Sequence, residues 1–105
     1  MSTAKENFEA AQQRFAAAFE YHLNNGVEFI SRDVYIDPDV VIAPGAVILP
    51  GCILRGKTEI GAGCVIGPNT LLEDTVVEEN STVNASQCYQ SHIGANNKIG
   101  PFTHV

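Results

Sequence analysis

The chain has 105 residues, with 12 acidic against 6 basic side chains, a formal charge of −6 and three cysteines. That length suits one domain, and an acidic chain without a basic run is a poor partner for nucleic acid or an anionic membrane surface. There is no signal-peptide pattern and no stretch of eighteen or so apolar residues, so the expected location is the cytoplasm.

Residues 3–25 are predicted to form one amphipathic helix. Thr3 followed by Glu6 is a capping-box pair. Phe8, Phe15, Phe19 and Leu23 fall on one stripe, and Ala10, Ala11, Ala16, Ala17 and Ala18 supply helix propensity. Asn25 and Gly26 form a C-terminal stop. The aromatic stripe reads as packing surface, covering either an open end of the remaining chain's fold or a partner. Val27 to Ile30 is expected to be a short strand leading into the first coil of a repeat.

From there an apolar residue recurs at every sixth position: Ile36, Ile42, Ile48, Leu54, Ile60, Ile66 and Leu72. Helices repeat near 3.6 residues and strands at 2, so neither gives this period. One side of a triangular coil does: a short strand and then a corner. Four residues after each apolar position stands a small or β-branched residue, namely Val40, Ala46, Cys52, Thr58, Cys64, Thr70 and Val76. Positions two apart in a strand share a face, so each side should send one small and one large residue inward. All five prolines sit two places after the apolar position, and eight of the nine glycines one to three places after it. Confining the turn formers to one phase marks the corners. The expected architecture is mainly β: a parallel β-helix that grows by stacking coils.

After Leu72 the phase slips to Val77, Val83, Cys88, Ile93, Ile99 and Val105, through five- and six-residue steps. A five-residue side is a tightened turn and need not end the solenoid. About four coils are expected between Ile36 and Val105. The organisation is therefore residues 1–30 as helix and lead-in strand, and 31–105 as β-helix. Val105 falls in an inward slot, which suggests a length cut from a longer protein.

The residue before each apolar slot should face outward, yet Val41, Val47, Ile53, Val65 and Leu71 are apolar there. With three sides per coil, Val47, Leu49 and Val65 share one outer face. Clusters of this kind point to a partner surface, here a homotrimer contact, unless the N-terminal helix covers it. The cysteines read as core thiols: Cys52 and Cys64 in small slots on different sides, Cys88 in an apolar slot. His22 is expected to be a partly exposed helix residue. His92 and His104 should face outward on different sides, with no evident orienting carboxylate.

The runs Ile60-Gly61-Ala62-Gly63-Cys64-Val65 and Ile66-Gly67-Pro68-Asn69-Thr70-Leu71 resemble the bacterial hexapeptide pattern of left-handed β-helix acyltransferases. A closer resemblance joins several segments in order. These are Leu23-Asn24-Asn25-Gly26-Val27, Tyr35-Ile36-Asp37, Ile42-Ala43-Pro44-Gly45, Leu54-Arg55-Gly56-Lys57-Thr58, Ile60 to Thr70, and Ile99-Gly100-Pro101-Phe102-Thr103-His104. Together they are similar to the linker helix and first coils of the bifunctional bacterial glucosamine-1-phosphate N-acetyltransferase / N-acetylglucosamine-1-phosphate uridylyltransferase.

That resemblance implies left-handedness and a place in UDP-N-acetylglucosamine supply for the cell envelope. It implies acetyl-CoA and magnesium for the full-length family, and none for this chain. The family's nucleotide-binding domain has no counterpart here, and its acetyltransferase residues come after the segment matching Ile99 to Val105. No catalytic, cofactor-binding or metal-ligating residue is therefore assigned. Sugar phosphate and acetyl-CoA are expected as partners only with further coils. The chain by itself reads as a non-catalytic trimerising scaffold. Two alternatives stand beside this: another acetyl-CoA-dependent hexapeptide acyltransferase, and a zinc enzyme resembling the trimeric left-handed β-helix carbonic anhydrases. The latter bind zinc between subunits through three histidines; here His92 and His104 would need a third, since His22 lies on the helix.

Overall fold

In a computed structural model, the structure describes residues 3–105. It opens with one helix, α1 (Ala4–Asn24). Thr3 caps it: its hydroxyl accepts from the Glu6 amide, and the Glu6 carboxylate accepts from the Thr3 amide. These bonds satisfy two of the amide groups that a helix start otherwise leaves without partners. At the other end Asn25 is the C-cap, and the His22 carbonyl accepts from the amides of Asn25 and Val27. Gly26 comes next, with a φ of +88°.

Thirteen short strands then wind around a triangular prism. The first side holds β1 (Glu28–Phe29), β4 (Val47–Ile48), β7 (Val65–Ile66), β10 (Thr82–Val83) and β13 (Lys98–Ile99). The second holds β2 (Val34–Ile36), β5 (Cys52–Arg55), β8 (Leu71–Glu73) and β11 (Gln87–Tyr89). The third holds β3 (Val41–Ile42), β6 (Glu59–Ile60), β9 (Val76–Val77) and β12 (His92–Ile93). Every pairing is parallel, and every third strand stacks on the one before. The fold is a left-handed β-helix of four coils with a fifth begun at β13.

The register explains the six-residue period. Ile42 lies beside Ile60, Ile48 beside Ile66, and Leu54 beside Leu72, each one coil of eighteen residues on. All seven members of the regular series are buried, and so are Val77, Val83, Cys88 and Ile93 of the slipped series. Each such aliphatic side chain, fully buried, stabilises the fold by about 1.5–3 kcal/mol.

The slip begins one residue earlier than the repeat suggests. Thr75, not Val76, takes the small inward slot; Val76 faces outward beside Glu59. The cause is the corner at Asp74, which turns on a single left-handed residue with a φ of +49° and so uses one residue fewer. Later coils shorten in the same way, so that Val76 pairs with His92 and Thr82 with Lys98. At one corner Gly51, Asn69, Ala85 and Phe102 stack, all with positive φ. That conformation is natural for Gly51, tolerated by asparagine and strained for alanine and phenylalanine.

The small inward column is partly polar. Thr58, Thr70, Thr75, Ser81 and Ser86 are buried, and each hydroxyl donates to a backbone carbonyl. The buried polar groups are thereby satisfied.

α1 covers the first coil. Phe19 packs on Phe29 with ring centroids 4.4 Å apart, Phe15 stacks on Tyr35 at 6.5 Å, and Ala18 touches the core. Arg32 lies 4.8 Å over the Phe19 ring and 3.6 Å from the Glu20 carboxylate. The contact line is displaced from the sequence stripe at both ends. Phe8 and Leu23 are exposed, and His22, expected to be partly exposed, is buried at 4% exposure. The helix meets the coil along Phe15, Ala18, Phe19 and His22, Gln12 faces Tyr35 and Ile53 across a cavity, and residues 4–10 at its start are exposed.

Candidate functional site

The outer surface of the prism is where function must lie, because its interior is filled. On the first side, Val47 and Val65 stand in register with their side chains outward, and Leu49 occupies the next outward position. All three are half-buried by their surroundings. The helix packs on the second side, at β2, rather than over these residues. The second side carries its own outward apolar column, Tyr35, Ile53 and Leu71, again in register. The third is mixed: Val41, Glu59, Val76 and His92.

The three histidines lie apart. His92, on β12, is held by the Glu78 carboxylate at its Nε2. This is the orienting partner that the sequence did not show. Glu78 lies two residues beyond Val76, which is His92's neighbour in the coil below, so period-two alternation puts it on the same outer face. His104 bridges to Gln87 on the second side, and its ring meets Tyr89 edge-on at 5.4 Å.

His22 lines a groove of about 690 Å³ between the end of α1 and the third side, with Tyr21, Asp39, Val41 and Pro44. Its Nδ1 is buried without a hydrogen-bond partner. Burial disfavours the imidazolium and lowers its pKa, so the ring is neutral near pH 7. Among the described residues, no three of His, Cys, Asp and Glu gather closely enough to hold a metal ion.

The cysteines are core residues. Cys52, Cys64 and Cys88 are buried and free of disulfides. Cys52 donates to the Ile66 carbonyl and Cys64 to that of Glu78. Burial raises all three thiols, Cys52 to about 11. None is set up as a nucleophile.

The cations do not converge. Arg55 pairs with Glu73 at 2.9 Å on the second side, Arg32 pairs with Glu20, and Lys98 lies on the first side at the far end. A coenzyme A pyrophosphate needs several cationic or amide donors aimed at one point, and the described residues do not fit it. Nor do they fit magnesium, which takes clustered oxygen ligands.

The family profile described as the GMPPB C-terminal domain matches residues 30–105. The chain belongs to that family. The chain is also similar to curated proteins named "Bifunctional protein GlmU". Identity is 47% to that of Caldanaerobacter subterraneus subsp. tengcongensis and 39% to that of Clostridium novyi, each over 82% of this chain. It is 43% to the one from an Exiguobacterium species, over 79%. In each case the match spans 19% of the relative's length. The likeness agrees with the resemblance carried by the ordered sequence segments, and the fold is the one that resemblance implied. No helix among the described residues is long and apolar enough to cross a membrane.

Proposed function

We propose that this chain is a trimer-forming β-helical scaffold from the acetyltransferase part of a UDP-N-acetylglucosamine-producing enzyme of the cytoplasm, and that by itself it does not turn over substrate. The similarity to the bifunctional GlmU proteins supports the enzyme class. The observation that carries the scaffold role is the outward apolar column Val47, Leu49 and Val65 on the first side, left uncovered by the helix. Apolar side chains aligned outward in this way form a contact surface. Acetyl transfer needs a base near the amine and donors for the phosphates, and the described histidines and cations of this chain do not converge on one point.

Two measurements test the reading. Sedimentation at micromolar concentration should give the mass of three chains; a monomer ends the assembly role. Acetyl-CoA and glucosamine-1-phosphate incubated with the chain should release no free thiol above the protein-free rate. Sustained release would make the chain an enzyme in its own right.

A further inference from the structure

The stacking of coils leaves a strand edge unpaired beside α1. On the third side the sheet ends at β3, with β6 above it and no strand beneath it among the described residues. Alternate residues of a strand serve its two neighbours. The Val41 and Ala43 amides donate upward, to the carbonyls of Thr58 and Ile60. The residues between them serve the coil below. The first side shows that pattern complete: the Ala46 and Ile48 carbonyls accept from the amides of Glu28 and Ile30 in the coil beneath. Six residues earlier the equivalents are Val40 and Ile42, and no described residue below donates to either carbonyl. The Ile42 amide points the same way. The cause is the route of the chain. The Gly26 carbonyl still serves the coil above, accepting from the Gly45 amide, but the segment before it is helix and not strand.

That helix stops short of the edge. Ala18, Tyr21, His22 and Asn25 share one face of α1 by helical spacing, and they stand opposite residues 38–44 across the groove of about 690 Å³. A volume of that order suits a bound ligand. Tyr21 and Val41 at the groove are 64% and 58% exposed, whereas His22 is buried with its Nδ1 unpartnered. Among the described residues that line the groove, Asp39 alone carries a charge near pH 7. An unpaired strand edge beside an apolar slot is a template for a further strand, held by main-chain hydrogen bonds and selected by its alternate side chains.

We infer that β3 receives an extended peptide segment in this groove as its missing neighbour. The segment runs parallel to β3, and its amides donate to the Val40 and Ile42 carbonyls as those of Glu28 and Ile30 do on the first side. Its residue level with Ile42 points inward and is aliphatic. A lysine or arginine near it meets Asp39. The site is local to one prism, so a monomeric chain would leave the inference standing.

An acetylated and amidated pentapeptide, lysine-threonine-valine-threonine-lysine, tests this on the full chain. In the free protein the Ile42 amide should exchange rapidly with solvent. Millimolar peptide should slow it about tenfold, while the Val41 and Ala43 amides, already bonded, change little. No protection at Ile42 would overturn the proposal. Two N-methylated peptides then probe the pairing. Methylating both threonine amides should abolish binding, and methylating the valine amide should not. Equal binding by the two would mean an apolar ligand held without strand pairing, and the reverse order would mean the wrong register; either refutes the assignment. Exchanging the lysines for glutamates should weaken binding about fivefold at low salt. Asp39→Asn should narrow that difference; an unchanged difference would remove Asp39 from the site and refute the basic preference.

Discussion

The narrow interior gives single atoms large effects. Thr58 is fully buried, and its hydroxyl donates to the Arg55 carbonyl at 2.8 Å while lying 3.3 Å from both the Leu72 carbonyl and the Thr75 amide. Thr58→Val keeps the shape and removes the hydrogen bonding. The expected loss is about 1–3 kcal/mol, that of a buried polar group left unpaired. It should appear as a lower urea midpoint with an unchanged slope. Gly61 is limited by stacking instead: a Cβ there would lie 2.7 Å from the Glu79 amide nitrogen in the coil above. Backbone cannot swing aside as a side chain can, so Gly61→Ala should destabilise by about 1–3 kcal/mol in the same titration. Cys52, whose thiol is pushed up to about 11 by burial, is almost entirely protonated at pH 8. It should remain unmodified by a thiol-reactive disulfide in the folded protein and react at once in urea. Rapid labelling of the folded chain would mean that the second coil opens.

At the scale of elements, the joint between α1 and the first coil is pH-sensitive. His22 is buried there with Nδ1 unpartnered, and burial depresses its pKa below the ordinary value near 6.5. The unfolded chain then binds more protons than the folded one as pH falls below 6.5, so stability is complete above that value and declines through the window beneath it. Tyr21 stands against the ring edge-on, and Asp39 shares its groove without relieving the desolvation. The melting temperature should fall between pH 7 and pH 5.5, and His22→Leu should flatten that fall. An equal slope in both proteins would place the titration elsewhere. This burial is not legible in the sequence. Helical periodicity says that Phe15 and Phe19 share a face, but not where the helix leaves the coil, so it sets Phe8 and Leu23 on the contact line and His22 off it. The repeat itself is legible because six residues map onto one side of the prism. The repeat puts Val76 where Thr75 belongs because a corner's residue count depends on its backbone, and Asp74 can adopt the left-handed form without being glycine. Seeing Glu78 beside His92 requires the register of two coils, which no single strand contains.

As a whole the molecule is a one-dimensional stack, and its stability should be distributed like one. Each coil touches only its neighbours, so the free energy of a solenoid is close to a sum of coil and interface contributions. The two ends differ. At the first coil α1 lies across Phe29 and Tyr35 and leaves Val27 and Ile36 buried. At the other end Ile99 is only partly buried, and Val105, which the Gln87–His104 bridge sets over Cys88, is 45% exposed. The second and third coils have a full neighbour on each side, with Leu54 and Leu72 at 0% exposure. Opening should therefore begin at β13 and travel inward, since local openings start where apolar contacts are fewest. Native-state hydrogen exchange reads this directly. The Leu49 amide, bonded to the Ile66 carbonyl, and the Gly67 amide, bonded to that of Val83, should exchange slowly and only with global unfolding. The Val105 amide, bonded to the Gln87 carbonyl, should exchange fastest among the ladder amides, and that of Phe102, bonded to the Ala85 carbonyl, next. Equal protection along the prism would mean that the coils unfold as one cooperative block, and the additive stack would be the wrong description.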